Sequence, residues 1–281
     1  MGIPRPAASA SALGWRDLRH EHSAEPMSTP PKDPANYTVD ALDTALELVN
    51  IIAEAPGHGV TELARRCGQT KARTFRLLWT LEQRGVISRA GQDATYRLGH
   101  AALIWGAAAA TQHDLVRVAQ PLLKALGEET GETTKLRIRD GLDCLTVAKW
   151  EPDRELRCHS LVGRRHALQE QPGLVLLAHA EADIQRQVLG SLPPAAARDL
   201  AQTLDRIREQ GFNVTRSEFD GTRESISIAA PVFDQTGMIA ASVAVAAPAS
   251  RMDEARQTVV AAALGKAVRH LSTALGHRHR F

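Results

Sequence analysis

Seven basic residues stand between Arg65 and Arg89: Arg65, Arg66, Lys71, Arg73, Arg76, Arg84 and Arg89. Only one carboxylate, Glu82, lies among them, so this stretch carries a local +6 inside a chain whose formal charge is +2. A concentration of that kind suits the phosphates of duplex DNA, whose neutralisation by Lys and Arg releases counterions. A second set of groups, further along, could hold an organic anion. Arg137, Lys149, Arg157, His159, His166, Ser217 and Ser227 are all hydrogen-bond donors. Donors of these types recognise carboxylates when a concave, partly dry pocket gathers them. His159 and His166 flank the basic run Gly163-Arg164-Arg165, and a neutral imidazole there could also ligate a metal.

Other chemistries are missing from the sequence. There is no G-x-S-x-G elbow, no P-loop and no H-E-x-x-H, so no catalytic role is expected. The three cysteines, Cys67, Cys144 and Cys158, are widely spaced and contain no C-x-x-C. That excludes a disulfide framework or a cysteine zinc site and fits a reducing cytoplasm. No cofactor and no resident metal are expected; His277 and His279 at the end lack a supporting shell. Aromatics make up 4% of the chain, too few for a surface that stacks single-stranded nucleic acid. No apolar run reaches the length of a membrane span.

The elements that must position these groups follow from periodicity. With 281 residues, 43% hydrophobic and 23% charged, the chain has material for two folded domains. Residues 1–36 are rich in Pro, Ala and Ser and read as a disordered tail, and Met27 stands where a second start could lie. Helix one is expected over Val39–Ala55, with Leu42, Ala45, Leu46, Val49, Ile52 and Ala53 as its apolar stripe. Thr61 is expected to cap a short second helix. Gly68-Gln69-Thr70 turns the chain into a third, Lys71–Arg84, stopped by Gly85. On that third helix Phe75, Leu77, Leu78, Trp79 and Leu81 fall on the arc expected to face inward. Two short strands, Val86–Arg89 and Thr95–Leu98, make a wing beside this helix-turn-helix over residues 37–98.

Recognition helices reach base edges from their N-terminal residues. The expected DNA contacts are therefore Lys71, Arg73 and Arg76, with Ala72 and Thr74 between them. Thr61 suits a phosphate at a helix N-terminus. Arg89, Gln92 and Arg97 sit on the wing.

Residues 99–113 read as a linker helix and 114–281 as a larger domain. Asp114–Glu129 is helical in pattern, with a kink or break expected at Pro121. Thr133–Arg139, Cys144–Trp150, Leu156–Leu161, Phe212–Arg216, Ser225–Phe233 and Met238–Ala246 read as strands. Helices are expected at Pro172–Ala180, Asp183–Leu189, Pro194–Gln210 and Met252–Leu275. The whole is an α+β chain: a winged helix-turn-helix followed by an antiparallel sheet with helices packed on it.

Two segments carry a family resemblance. TELARRCGQTKARTFRLLWTLEQRGVISR at Thr61–Arg89, with YRLG at Tyr96–Gly99, resembles the DNA-binding head of the isocitrate lyase regulator (IclR) family of bacterial transcription factors. RSEFDGTRESISIAAPVFDQTGMIAASVAVAAP at Arg216–Pro248, with IAAPV at Ile228–Val232, resembles that family's second domain. The likeness runs from about Tyr37 to Leu275. It implies a GAF-like effector-binding domain for a small organic acid or aromatic metabolite. It also implies a homodimer or dimer of dimers on a palindromic operator, in the cytoplasm and on the nucleoid when DNA-bound. The regulated genes would be a metabolic or catabolic operon. Family pockets hold an effector carboxylate with polar residues on the last two strands, and the matching positions are Ser227, Ala244 and Ala246. With those included, the expected effector-binding set is Leu136, Lys149, Arg157, His159, Leu161, Ser217, Ser227 and Ala244. Two rival readings predict different things: an enzyme with a DNA-binding head needs a catalytic motif, and a second domain that only oligomerises needs no ligand.

Overall fold

The computed structural model describes residues 38–90, 94–219 and 223–277. The 1–36 tail with Met27, the wing-turn residue Gln92, and Arg278 and His279 lie outside the described residues. The chain divides into two compact units, one ending at Gly99 and the other beginning at His100.

The first unit contains α1 (Asp40–Glu54), α2 (Val60–Arg66), α3 (Lys71–Gln83), β1 (Ile87–Ala90) and β2 (Thr95–Leu98). β1 and β2 pair antiparallel as a two-stranded wing. Leu48, Ile52, Leu63, Leu78, Ile87 and Tyr96 form its core, each at most 2% exposed. Burying side chains of this size stabilises by about 1.5–3 kcal/mol each. Tyr96 also ties the wing to the loop after α1: its amide donates to the His58 carbonyl at 3.0 Å, and its carbonyl accepts from Gly57 at 2.9 Å. Gly85 ends α3 with φ +68°, in the left-handed region that glycine enters freely. Gly99 packs against it so closely that a Cβ would lie 2.2 Å from the Gly85 carbonyl oxygen.

Three details differ from the sequence expectation. α2 starts at Val60 behind Gly59, so Thr61 is inside the helix and caps nothing. The hydroxyl cap of this unit is Thr70, whose Oγ1 accepts from the Arg73 amide at 3.3 Å. The inward stripe of α1 is Thr44, Leu48 and Ile52, which leaves Leu42 and Leu46 more than half exposed. Thr44 can be buried because its hydroxyl donates to the Asp40 carbonyl at 2.7 Å. Likewise α3 buries Thr74 and Leu78, while Phe75 and Trp79 stand 46% and 52% exposed.

The second unit opens with α4 (His100–Gln112) and α5 (Asp114–Thr130). α5 continues through Pro121 to a left-handed Gly131, so the expected break does not occur. A six-stranded antiparallel sheet follows, built from β3 (Thr133–Asp140), β4 (Asp143–Trp150), β5 (Arg165–Ala167), β6 (Asn213–Phe219), β7 (Arg223–Phe233) and β8 (Ile239–Pro248). Its order is β5-β4-β3-β8-β7-β6. Residues 151–164 form an irregular loop, so Leu156–Leu161 is not a strand. α6 (Leu174–Ala178), α7 (Ala182–Gly190) and α8 (Pro194–Gln210) precede β6, and α9 (Glu254–Ala274) closes the chain.

Alternation along the strands sends successive side chains to opposite faces. One face carries Leu136, Ile226, Ile228, Val243 and Val245 and packs on α5 and α9 through Leu123, Leu126, Val260, Leu264 and Leu271. The other carries Cys144, Ala229 and Ala244 against Leu174–Ala178 and α8. That second helical layer covers only part of its face. The uncovered part of the sheet is the floor of a cavity.

Candidate nucleic-acid interface and ligand cavity

In the first unit the basic cluster is partly neutralised. Glu62 binds Arg65 at 2.6 Å and Arg66 at 2.8 Å. Those hydrogen bonds hold its carboxyl at about 2, well below the usual carboxylate range. Asp40 pairs with Arg73, and Glu82 with Arg89 at 3.1 Å. The Arg89 guanidinium lies 5.6 Å above the Tyr96 ring. Arg97 donates to the Ser88 hydroxyl across the wing at 3.3 Å. Lys71, Arg76 and Arg84 have no ion-pair partner among the described residues, and all three are exposed. Ala72, Phe75 and Trp79 share the outer face of α3 with Arg76.

Thr74 departs from expectation. It is fully buried, with its hydroxyl 3.9 Å from the Cys67 thiol, so it is unavailable to a groove. Phe75 and Trp79 were hidden in the sequence because hydrophobicity alone assigns both to the core. The signal that could have placed them is the buried hydroxyl of Thr74, which rotates the helix by one position.

The second unit holds a cavity of about 1170 Å³ on the partly covered face of the sheet. Lys135 and Arg137 of β3, Thr146 of β4, Ser225 and Ser227 of β7, and Thr215 and Ser217 of β6 line it. The 151–164 loop supplies Arg157, His159 and Arg164, and His166 and Glu170 complete one side. Of the expected effector set, Arg157, His159, Ser217 and Ser227 meet here. The other four do not. Leu136 projects into the opposite core, one residue out of phase with Arg137. Ala244 is sealed under the Leu174–Ala178 layer. Leu161 is 55% exposed on the loop and lines nothing in the cavity. Lys149 turns to Glu151 at 2.8 Å and the Ser160 carbonyl at 2.5 Å.

Glu151 organises the loop. It binds Lys149, accepts from the Ser160 amide at 2.8 Å, and lies 3.5 Å from Arg157 and 3.3 Å from His159. Burial pushes its carboxyl up, but the Lys149 and Ser160 hydrogen bonds prevail and hold it at about 2. Glu132, 4% exposed at the side chain, takes both nitrogens of Arg251 at 2.6 and 2.8 Å and anchors the same loop through Arg154. The loop that walls the cavity is therefore held by two carboxylates, the buried Glu132 and the half-buried Glu151.

Its floor is electrostatically unfinished. Arg137 is 6% exposed, and its Nε has no hydrogen-bond partner. Burial lowers its affinity for the proton. Burial, reinforced by repulsion from Arg137, brings Lys135 down to about 8. Neither forms an ion pair with a described carboxylate. Sequence reasoning named Arg137 and missed Lys135, two residues away on the same face of a strand. Among the described residues no group of three His, Cys, Asp or Glu side chains converges to hold a metal ion. No described helix is long and apolar enough to cross a membrane.

Comparison with known proteins gives consistent matches. Residues 41–91 match the profile described as the IclR helix-turn-helix domain, and residues 107–273 that of the bacterial transcriptional regulator IclR C-terminal domain. The chain is 34% identical over 252 residues to the HTH-type transcriptional regulator BhcR of Paracoccus denitrificans, covering 85% of this chain and 88% of that one. It is 30% identical over 251 residues to the regulator KdgR of Escherichia coli, covering 85% and 94%. The fold matches an IclR transcriptional regulator from Alicyclobacillus acidocaldarius with TM-score 0.76 at 24% identity, over 85% of this chain and all of that one. It also matches an IclR homologue from Microbacterium hydrocarbonoxydans solved with 4-hydroxybenzoate, with TM-score 0.68 at 19% identity, over 84% and 98%.

Proposed function

This chain belongs to the IclR family of bacterial transcriptional regulators, and from that premise we propose that it is a ligand-responsive regulator of a metabolic or catabolic operon. Its first unit binds a palindromic operator through α3 and the wing. Lys71, Arg76 and Arg84 contact phosphates or guanine edges, and Ala72 and Phe75 present apolar surface suited to a thymine methyl. Its second unit binds a small organic acid in the cavity. The solved relative that holds 4-hydroxybenzoate supports an acid effector.

One observation carries the proposal: Arg137 is buried, cationic and unpaired on the floor of a roomy cavity. A buried charge without a partner is costly, and the absent partner is most simply an anion that comes and goes. A second unit that only oligomerised would gain nothing from it. We read the protein as a non-enzymatic cytoplasmic sensor. The exposed Leu103, Ile104 and Trp105 of α4 support a dimer or dimer of dimers, since apolar patches of that kind mark association surfaces.

The effector acts by binding one arrangement of the dimer better than another, because a ligand with equal affinity for both shifts nothing. Fluorescence anisotropy with DNA from upstream of its own gene, against scrambled DNA over a salt series, tests the DNA half. The expected result is preference for the upstream DNA and an affinity that falls steeply with salt. Salt-insensitive binding, or no preference, would count against it.

A further inference from the structure

The charges of the cavity say more about its occupant than its size does. This step rests on the ligand-sensing role proposed above. The two described carboxylates that line the cavity are already engaged, Glu170 by His166 at 3.0 Å and Glu224 by Arg216 at 2.5 Å. Arg157 is engaged by Glu151. Lys135 and Arg137 remain, adjacent on one face of β3 and both without a carboxylate. Directly across β3–β8 from Arg137 stands Ser242, fully buried, whose hydroxyl is also without a partner. Arg137 lines the cavity and Ser242 lies beside it in the sheet without lining the space, so the orphaned Nε of Arg137 marks the spot on the floor where a hydrogen bond is owed. Arg164, exposed and unpaired, adds a further cation at the rim.

Above that floor the surroundings are hydroxylic. Thr146, Thr215, Ser217, Ser225 and Ser227 face the space from three strands. Among the described residues no Phe, Tyr or Trp lines it. Aromatic ligands are held by ring contacts and apolar walls; the described rings here are the imidazoles of His159 and His166, each already held by a carboxylate, and the aliphatic side chains of Leu156, Pro172, Ala246 and Pro248 are interspersed with the hydroxyls. Hydroxyl donors and acceptors instead reward a ligand with hydroxyls, and a site built for them rejects analogues that lack them.

We infer that the occupant is an aliphatic hydroxy acid carrying two negative charges, seated on Lys135 and Arg137 with its hydroxyls toward the Ser and Thr side chains of β4, β6 and β7. A monoanion leaves either the buried Arg137 or the half-buried Lys135 uncompensated. A dianion neutralises both, and Arg137 can clasp one acid group bidentately.

Titration calorimetry on the full chain at pH 7 tests this with malate, tartrate, succinate, lactate, 3-phosphoglycerate and 4-hydroxybenzoate. Malate, tartrate or 3-phosphoglycerate should bind at least about tenfold tighter than lactate or 4-hydroxybenzoate. 3-Phosphoglycerate carries about three charges at pH 7, and against the dicarboxylates it tells whether a phosphate can take the place of the second carboxylate. Succinate should be weaker than malate. Arg137→Met and Lys135→Met should each lose about tenfold or more, with unchanged circular dichroism showing that the fold survives. Equal or tighter binding of lactate or 4-hydroxybenzoate, binding by none of the six, or full affinity in both variants would overturn the inference. A dianion that binds without altering operator affinity would leave this ligand class intact and overturn the regulatory role. 4-Hydroxybenzoate that binds tightly and alters operator affinity would do the reverse.

Discussion

Arg137 is the residue on which most depends. Its guanidinium sits almost out of solvent without a carboxylate, an arrangement that stability alone disfavours. Arg137→Met should therefore raise the ligand-free melting temperature, by about 1 kcal/mol or more of folding free energy. Differential scanning calorimetry checks it, and a destabilised variant would mean the charge is structurally compensated. Lys135 gives a pH signature. Its ammonium is held at about 8 by burial first and by Arg137 second, with Arg164 also lowering it and Cys158 and Glu151 raising it. Lys149 is its cross-strand neighbour, turned away to Glu151. Only the protonated form attracts an anion, so effector affinity should fall as pH rises from 7 through 8 to 9.5. Cys158, whose thiol burial pushes upward, would add a negative charge only at the alkaline end, and Cys158→Ser separates the two. The linkage for folding has the opposite sense. The unfolded chain binds this proton more tightly than the folded one, so Lys135's contribution to stability improves between pH 8 and 10.5. At this scale the sequence was readable where residue type suffices: Arg137, Arg157, His159, His166, Ser217 and Ser227 all line the cavity. It was unreadable where phase decides. Leu136 and Arg137 are neighbours on a strand and cannot face the same space.

The elements were mostly legible because their periodicity and stops are local. α3 and α8 end at glycines with positive φ close behind them, and Asp140-Gly141 turns β3 into β4. What failed was decided by contacts the chain makes at a distance. Residues 156–161 alternate like a strand, yet Glu132 and Glu151 pull the 151–164 loop into an irregular path. Thr61 looks like a cap, but the Gly59–Val60 junction starts the helix two residues earlier than a Thr61 cap allows. α5 illustrates a tertiary demand with no sequence signature. A Cβ on Gly127 would lie 2.0 Å from the Trp150 ring, so helix and sheet meet only because that residue is glycine. Gly127→Ala should cost about 1–3 kcal/mol despite its better helix propensity, as overpacking outweighs the gain. Chemical denaturation measures it, and a stabilised variant would show that Trp150 is free to move aside.

For the molecule as a whole, family and two-unit architecture were visible in the motifs, while the balance of charge was not. The +6 of Arg65–Arg89 counts only part of the field, because Glu62 and Asp40 reach in from outside that window. Lys71, Arg76 and Arg84, which have no ion-pair partner among the described residues, are the cations that the proposed DNA-binding role assigns to the electrostatic part of binding. In the proposed function, occupancy of the cavity in one unit changes DNA binding by the other. The most direct measurement is operator affinity of the wild type and of Arg137→Met, by fluorescence anisotropy, with and without a saturating hydroxy-dicarboxylate. The acid should change the wild-type Kd by about fivefold or more and leave the variant's Kd where it was without acid. An acid-dependent change of equal size in both proteins, or none in the wild type, would contradict it.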